Sequence, residues 1–342
     1  MRIRQWFVVL AGVFVSAPHL SAQDGKGIVR VRAISFEGVP IGGALVALIS
    51  PDGKVAAEGL TDETGFRSLG ATRGPYSVRI RRIGYEPFLS SQISVPYDGE
   101  LKLAVSSRHV SLETVVVTAG SQCKRAGIDQ RTIGELWEEI SKALVGTQLT
   151  RSDVANLGWA RVYRKQVKLN GEVLSFDTTR TMISDARPFS ASDPRILAVN
   201  GYVLGDLYSG WHYFAPDEAV LLSSDFADTH CFRVVREKTR TGQVGVNFEP
   251  APGRSVGEIA GVLWLDEQSA ELREIVFRFV NIGEVTRFNP GGAVHFRRMS
   301  SGAWIVDGWH LRFPVLEMKV DGLRSWLVEL GFVEDGGGIV EK

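Results

Sequence analysis

Three valines in a row, in Leu112-Glu113-Thr114-Val115-Val116-Val117-Thr118-Ala119, do most to constrain what this chain can fold into. β-Branched side chains are stiff in a helix and fit a pleated surface, so the run is strand chemistry. Ala119-Gly120-Ser121-Gln122 comes next and is linker chemistry. The run therefore marks a boundary, with one small β domain before it and a different domain after it. A chain of 342 residues has the length for about two domains.

Before the boundary, short β runs alternate with turn signals. Gly27 to Phe36 sets Val29, Val31 and Ala33 on one face and Arg30 and Arg32 on the other. Ala44 to Ile49 is an apolar strand closed by Pro51-Asp52-Gly53, and Thr61 to Phe66 is a polar turn. Tyr76 to Arg81 alternates apolar and polar, and Ser90 to Val95, Glu100 to Val105 and Val110 to Thr118 continue the series. About seven short strands without a helical period predict a β-sandwich over residues 27–119.

Four motifs in order carry a resemblance. Pro40-Ile41-Gly42-Gly43-Ala44-Leu45-Val46, Thr61-Asp62-Glu63-Thr64-Gly65-Phe66, Gly74-Pro75-Tyr76-Ser77-Val78-Arg79 and Ile83-Gly84-Tyr85 resemble the carboxypeptidase regulatory-like domain. That resemblance implies a transthyretin-like sandwich of the carbohydrate-binding-like kind, a non-catalytic accessory module despite its name. Leu112 to Ala119 is also similar to the segment that comes after this domain in TonB-dependent outer-membrane receptors. The likeness implies an envelope protein, while the residues remaining after it are too few for a receptor barrel.

Residues 120–131 read as linker and 132–331 as the second domain. Thr132-Ile133-Gly134-Glu135 has the form of a capping box. Ile133, Leu136, Trp137, Ile140, Ala143 and Leu144 then share one helical face, with Glu138, Glu139 and Lys142 expected opposite. The rest of this domain is mostly strand: Trp159 to Leu169 and Glu172 to Met182 across Asn170-Gly171, then Ala219 to Leu222, His230 to Arg236, Gln243 to Phe248, Glu258 to Leu265, Glu271 to Asn281, Val294 to Met299 and Trp304 to Leu311. Arg187 to Asn200 reads as loop, and residues 332–342, with Gly336-Gly337-Gly338, as a flexible tail. Gly261-Val262-Leu263-Trp264-Leu265-Asp266 before Leu272-Arg273-Glu274-Ile275 is similar to the half-barrels of LolA- and LolB-type lipoprotein carriers. The expected fold is mostly β: a transthyretin-like sandwich, then a helix packed on a curved antiparallel sheet (α+β).

Residues 1–22 have the form of a signal peptide. Arg2 and Arg4 precede an apolar run from Trp6 to Val15, Pro18 breaks it, and Leu20-Ser21-Ala22 offers a cleavage point. Export to the periplasm or outer membrane is the expectation, and no later stretch is apolar enough for a spanning helix. Cys123 and Cys231 are the two cysteines, and an exported protein permits one disulfide between them. The loop it closes is about 100 residues, worth up to ~4–5 kcal/mol on an entropic account.

The chemistry sought is thin. Gly253-Arg254-Ser255-Val256-Gly257 matches a nucleophile elbow, but Pro250 and Pro252 precede it and a strand comes after it. Asp225, Asp228, His230 and Cys231 lie close together, yet zinc needs convergent ligands and no second cluster supplies them. No metal, cofactor or catalytic residue is therefore assigned. Lys+Arg and Asp+Glu are both 39, which argues against a nucleic-acid partner. Trp159, Tyr163, Trp211, Trp264, Phe277, Phe279, Trp304 and Trp309 are candidates to line an apolar groove or a sugar platform, or else to fill a core. Arg30, Arg32, Arg79 and Arg81 are candidates for a basic face attractive to acidic glycans, or else form an ordinary solvated strand face. The expectation is a non-enzymatic exported envelope protein with a binding or scaffold role, taking a carbohydrate, an acyl chain or an outer-membrane protein. The alternatives are a hydrolase of envelope polymers and a module docked on TonB-type machinery. A binder needs a hollow lined by aromatics, an enzyme a cleft with convergent polar groups, and a docking module a bare strand edge over a solid interior.

Overall fold

The structure is a computed structural model that describes residues 26–107, 128–153, 159–182, 192–206, 210–299 and 304–340. The signal segment, the valine run Leu112–Ala119 and Cys123 lie outside the described residues. The fold is mostly β with a few helices.

Seven strands make the first unit: β1 (Lys26–Ser35), β2 (Leu45–Ile49), β3 (Val55–Leu60), β4 (Phe66–Thr72), β5 (Gly74–Arg81), β6 (Phe88–Val95) and β7 (Glu100–Val105). They form two sheets, ordered β4-β1-β7 and β3-β2-β5-β6. Val29, Val31 and Ala33 from one sheet share a buried core with Val46, Leu48, Val78 and Ile80 from the other, as period-two alternation requires. β3 and β4 have no β-branched run, and pairing with β2 and β1 creates them. The Thr61–Phe66 turn forms around Asp62, whose Oδ1 accepts from the backbone N–H groups of Thr64 and Phe66 at 2.9 and 3.0 Å. Gly65 is required there: its φ is +73° and a Cβ would lie 2.3 Å from the carbonyl oxygen of Ala33.

The second unit opens with α1 (Ile128–Asp153), 26 residues and about 39 Å long. It starts before the expected capping box, so Thr132 lies inside the helix rather than at its N-cap. The strands β8 (Trp159–Lys168) and β9 (Val173–Met182) form the Asn170-Gly171 hairpin. Then come α2 (Pro194–Asn200), β10 (Val203–Asp206), β11 (Gly210–Tyr213), α3 (Glu218–Leu221), α4 (Ser224–Thr229), β12 (His230–Val235), β13 (Gln243–Pro250), β14 (Glu258–Asp266), β15 (Leu272–Val280), a 3-10 turn (Gly283–Phe288), β16 (Gly291–Arg298), β17 (Trp304–Asp321) and β18 (Arg324–Val340). Strands β12 to β18 run as an antiparallel meander, and β8 and β9 add beyond β18, giving the order β12-β13-β14-β15-β16-β17-β18-β8-β9. Leu136, Ile140, Ala143 and Leu144 of α1 join one core with Phe248, Leu263, Ile275, Phe277, Val294 and Trp309 of the sheet.

Three expectations are corrected. Pro194–Asn200 is a helix, not loop, because Asp193 caps it by accepting from the Arg195 N–H and Pro194 sits in its first turn. Ala219 to Leu222 lies in α3 rather than a strand, with Asp217 as its cap. Residues 332–340 are no tail: they belong to β18, paired between β17 and β8. The glycines there serve close packing. A Cβ on Gly336 would meet the Tyr163 ring at 2.5 Å, and one on Gly337 the Trp309 ring at 2.4 Å, so aromatics lie flat on opposite faces of bare backbone.

Candidate functional site

The charges on α1 are not where the apolar period places them. Glu139 and Lys142 are 0% and 5% exposed, not on a solvent face. Lys142 Nζ donates to Glu139 Oε1 at 2.7 Å and to the Tyr85 carbonyl at 2.9 Å, while Glu139 Oε2 accepts from the Gly84 N–H at 3.0 Å. The pair thus grips the Arg82-Ile83-Gly84-Tyr85 loop of the sandwich. Ile83 itself packs into the core of the second unit, not into that of its own sandwich. Burial lowers the Lys142 pKa, and Glu139 works against that. Arg82 is buried too, with Nε donating to the Gly42 carbonyl at 3.0 Å. The crevice at this junction is only about 10 Å3, too small for a ligand larger than water. Two hydrophobic interiors are therefore locked by an ion pair with every partner in place.

A second buried cluster brings together His230, Glu258, Arg254 and Tyr202. His230 opens β12 and Glu258 opens β14, and both side chains are 0% exposed with Nε2 3.5 Å from Oε2. His230 Nδ1 lies 3.1 Å from the Phe226 carbonyl oxygen and Nε2 lies 3.2 Å from that of Ile259. Arg254 is ion-paired with Glu258 and also donates to the Ala198 carbonyl at 2.8 Å. Burial pushes the imidazole down to about 4 and the Glu258 carboxyl up. At neutral pH the imidazole is neutral and carries one N–H between two carbonyls. Among the described residues Glu258 Oε2 has no hydrogen-bond partner. His230 and Glu258 are closed to solvent, Arg254 is partly exposed, and Ser255 beside it is exposed. Gly253 to Gly257 joins β13 to β14, so the strand–turn–helix elbow does not form.

The residues singled out for metal separate in the same way. His230 points both ring nitrogens at backbone carbonyls, Asp228 is exposed, and Asp225 lies in the first turn of α4. Cys231 is next on β12, and its expected partner Cys123 lies outside the described residues. The four arginines weighed as a basic face do not share one sheet. Arg30 and Arg32 stand on β1 and Arg79 and Arg81 on β5, in different sheets. Arg32 is held by Glu100 at 2.6 and 2.9 Å.

The eight candidate aromatics do not gather round one hollow. Phe277, Phe279, Trp304 and Trp309 are buried in the core facing α1. Phe277 meets Phe279 edge-on at 5.6 Å, and Phe279 meets Tyr213 at 4.9 Å. Trp211 packs at the border of this core, half-buried. Trp264 is buried outside that cluster under Arg240, whose guanidinium is 4.6 Å from the ring centroid and bonds Glu274. Trp159 and Tyr163 stand on β8, against Arg180 and Phe176 of β9 at 4.6 and 5.9 Å.

That neighbour, β9, does not stand out in the sequence. It ends the sheet order, so among the described residues one of its backbone edges has no strand beside it. Residues 173–180 are exposed on both faces, with Val173 at 53%, Leu174 at 49% and Phe176 at 57%. It has no proline or lysine, and Asp177 and Arg180 are its charges, so the usual guards of an edge are sparse. The β17–β18 hairpin projects past it and exposes Val320, Leu323 and Trp326. The signal present in the sequence is a strand that mixes Val173, Leu174, Phe176 and Met182 with Ser, Thr and charged residues, so neither face is continuously apolar.

Fold and surface together define a mostly β protein whose nine-stranded sheet is backed by α1 and ends in the exposed strand β9. No family model matches the chain. No curated protein matches it either. Among solved structures, the Bacillus anthracis TIE protein is similar over 90% of this chain and 48% of its own length, at 9% identity and a TM-score of 0.22. The chain spans about half the length of that protein, and a likeness at that score carries no argument.

Proposed function

We propose that this is an exported, non-enzymatic envelope protein that docks an extended polypeptide segment on the free edge of β9. The carboxypeptidase regulatory-like sandwich is its accessory module, and a Cys123–Cys231 bridge tethers the two units. One observation carries the reading: among the described residues β9 is bare on its outer edge and exposed on both faces, while Phe277, Phe279, Trp304 and Trp309, expected to line a ligand hollow, are buried in the core. A free edge supplies a row of backbone donors and acceptors, and the neighbouring side chains give selectivity. The buried His230–Glu258 pair contributes rigidity rather than chemistry, since no solvent reaches it.

The test places a photo-reactive side chain at Phe176 on β9 or at Lys54, in the exposed turn after β2, in the producing cells. Protein adducts from position 176 and none from position 54 support docking through the edge. Equal yields, or hydrolysis of envelope polymers abolished by Glu258→Gln, reject it.

A further inference from the structure

The free edge of β9 carries its own complement. In an antiparallel pair, residues directly opposite lie on the same face of the sheet. Phe176 and Arg180 share a face, since Phe176 lies against Tyr163 and Arg180 against Trp159, four residues apart on β8. A two-fold axis through Thr178 sets Phe176 of one copy opposite Arg180 of the other, twice. It also sets Asp177 opposite Thr179 and Ser175 opposite Thr181. Each Arg180 then sits between its own Trp159 and the other copy's Phe176, a cation flanked by two rings. No like charges meet. An axis at Asp177 instead would oppose two carboxylates. The strand is ten residues, about 33 Å of edge, long enough for a run of backbone bonds on both sides of the axis. At the opposite end of the sheet α4 packs against β12, where Phe226 meets Phe232 and His230 at 5.8 and 4.2 Å.

We propose that two copies of this chain pair through β9, antiparallel about an axis at Thr178, joining two nine-stranded sheets into one. This rests on the docking reading above and names its partner as a second copy. Such an interface is isologous, with the same patch on both subunits. It covers Val173, Leu174 and Phe176, which otherwise face water.

The experiment uses the full exported chain. Light scattering on the purified protein is expected to give twice the 37.5 kDa chain mass, less twice the removed signal. Thr178→Cys, oxidised gently, is expected to give a disulfide-linked dimer in high yield, with position 178 joined to itself by peptide mapping. Thr179→Cys is expected to link at least tenfold less. Thr178→Pro, which removes a backbone donor, is expected to weaken dimerisation at least tenfold. A melting curve like that of the unmodified chain checks that it folds. A dimer linking through position 179 instead of 178 overturns the axis. A monomeric chain with a photo-adduct from position 176 to a different envelope protein overturns self-pairing and leaves the docking reading standing. A monomer with no adduct at all overturns both.

Discussion

The two ends of the nine-stranded sheet are made of opposite materials. At the β12 end, Phe226 of α4 stacks with Trp137 of α1 and meets Phe232 and Phe248 at 5.8 and 5.5 Å. His230 and Glu258 are sealed beneath them. At the β9 end the strand has water on both faces, and the Lys168–Glu172 pair at its turn is half-exposed. The contrast teaches where stability and contact are invested. A sheet end packed under helices and rings holds the fold together, and an end with water on both faces adds little to it and is available to a partner.

The largest test of this contrast is Phe226→Ala, expected to cost ~3–5 kcal/mol because a fully buried ring leaves a cavity. Phe176→Ala on β9 is expected to stay within about 1 kcal/mol in the monomer. Urea midpoints measure both, and equal losses would break the comparison. Next is Lys142→Ala, which strands a buried carboxylate at the junction and is expected to cost ~3–5 kcal/mol. Restoring part of that loss by adding Glu139→Gln would trace it to the unpaired charge.

Acid sharpens the contrast at the β12 end. The ordinary imidazole takes its proton at 6.5, the buried one at about 4. Between those values the unfolded chain binds more protons, so stability is full above the upper value and falls as pH drops toward the lower. The loss is about 3 kcal/mol by pH 4. Glu258, raised by burial above its ordinary 4.5, slopes the other way just above that value. Comparing the chain with His230→Phe at pH 7 and pH 4.5 isolates the histidine, and an unchanged pH slope in the variant would refute its part. The smallest effect is expected of Lys168→Ala, at most ~0.5 kcal/mol, since the pair is half-exposed and solvated. A thermal melt that moves by more than the Lys142→Ala variant would invert the whole comparison.

Much of the strand pattern was legible in the sequence. Val29, Val31 and Ala33 alternate into the first core, and Ile275, Phe277 and Phe279 alternate into the second, because a buried face and a period of two leave little choice. The Asn170-Gly171 hairpin and the helix bearing Leu136, Ile140 and Leu144 were legible for the same local reasons. Glu139 and Lys142 were not. A charge pair reads as a solvent face unless one knows that another unit, the Arg82–Tyr85 loop, covers it. Gly336-Gly337-Gly338 reads as slack chain until Tyr163 and Trp309 are laid on it. The edge of β9 was hidden because edge or interior is a property of strand order, which no local pattern encodes.

The amino-acid sequence by itself determined the mostly β composition, an amphipathic helix carrying Leu136, Ile140 and Leu144, and much of the apolar set that goes inside, since those arise from periods of two and 3.6 residues acting locally. Tertiary structure alone decided that the last strand closes back on β8, that a buried ion pair fastens the sandwich to α1, and that β9 is left at the rim. Those outcomes depend on which surfaces meet across long stretches of chain, and only the folded arrangement fixes which backbone edge and which charges remain for water or a partner.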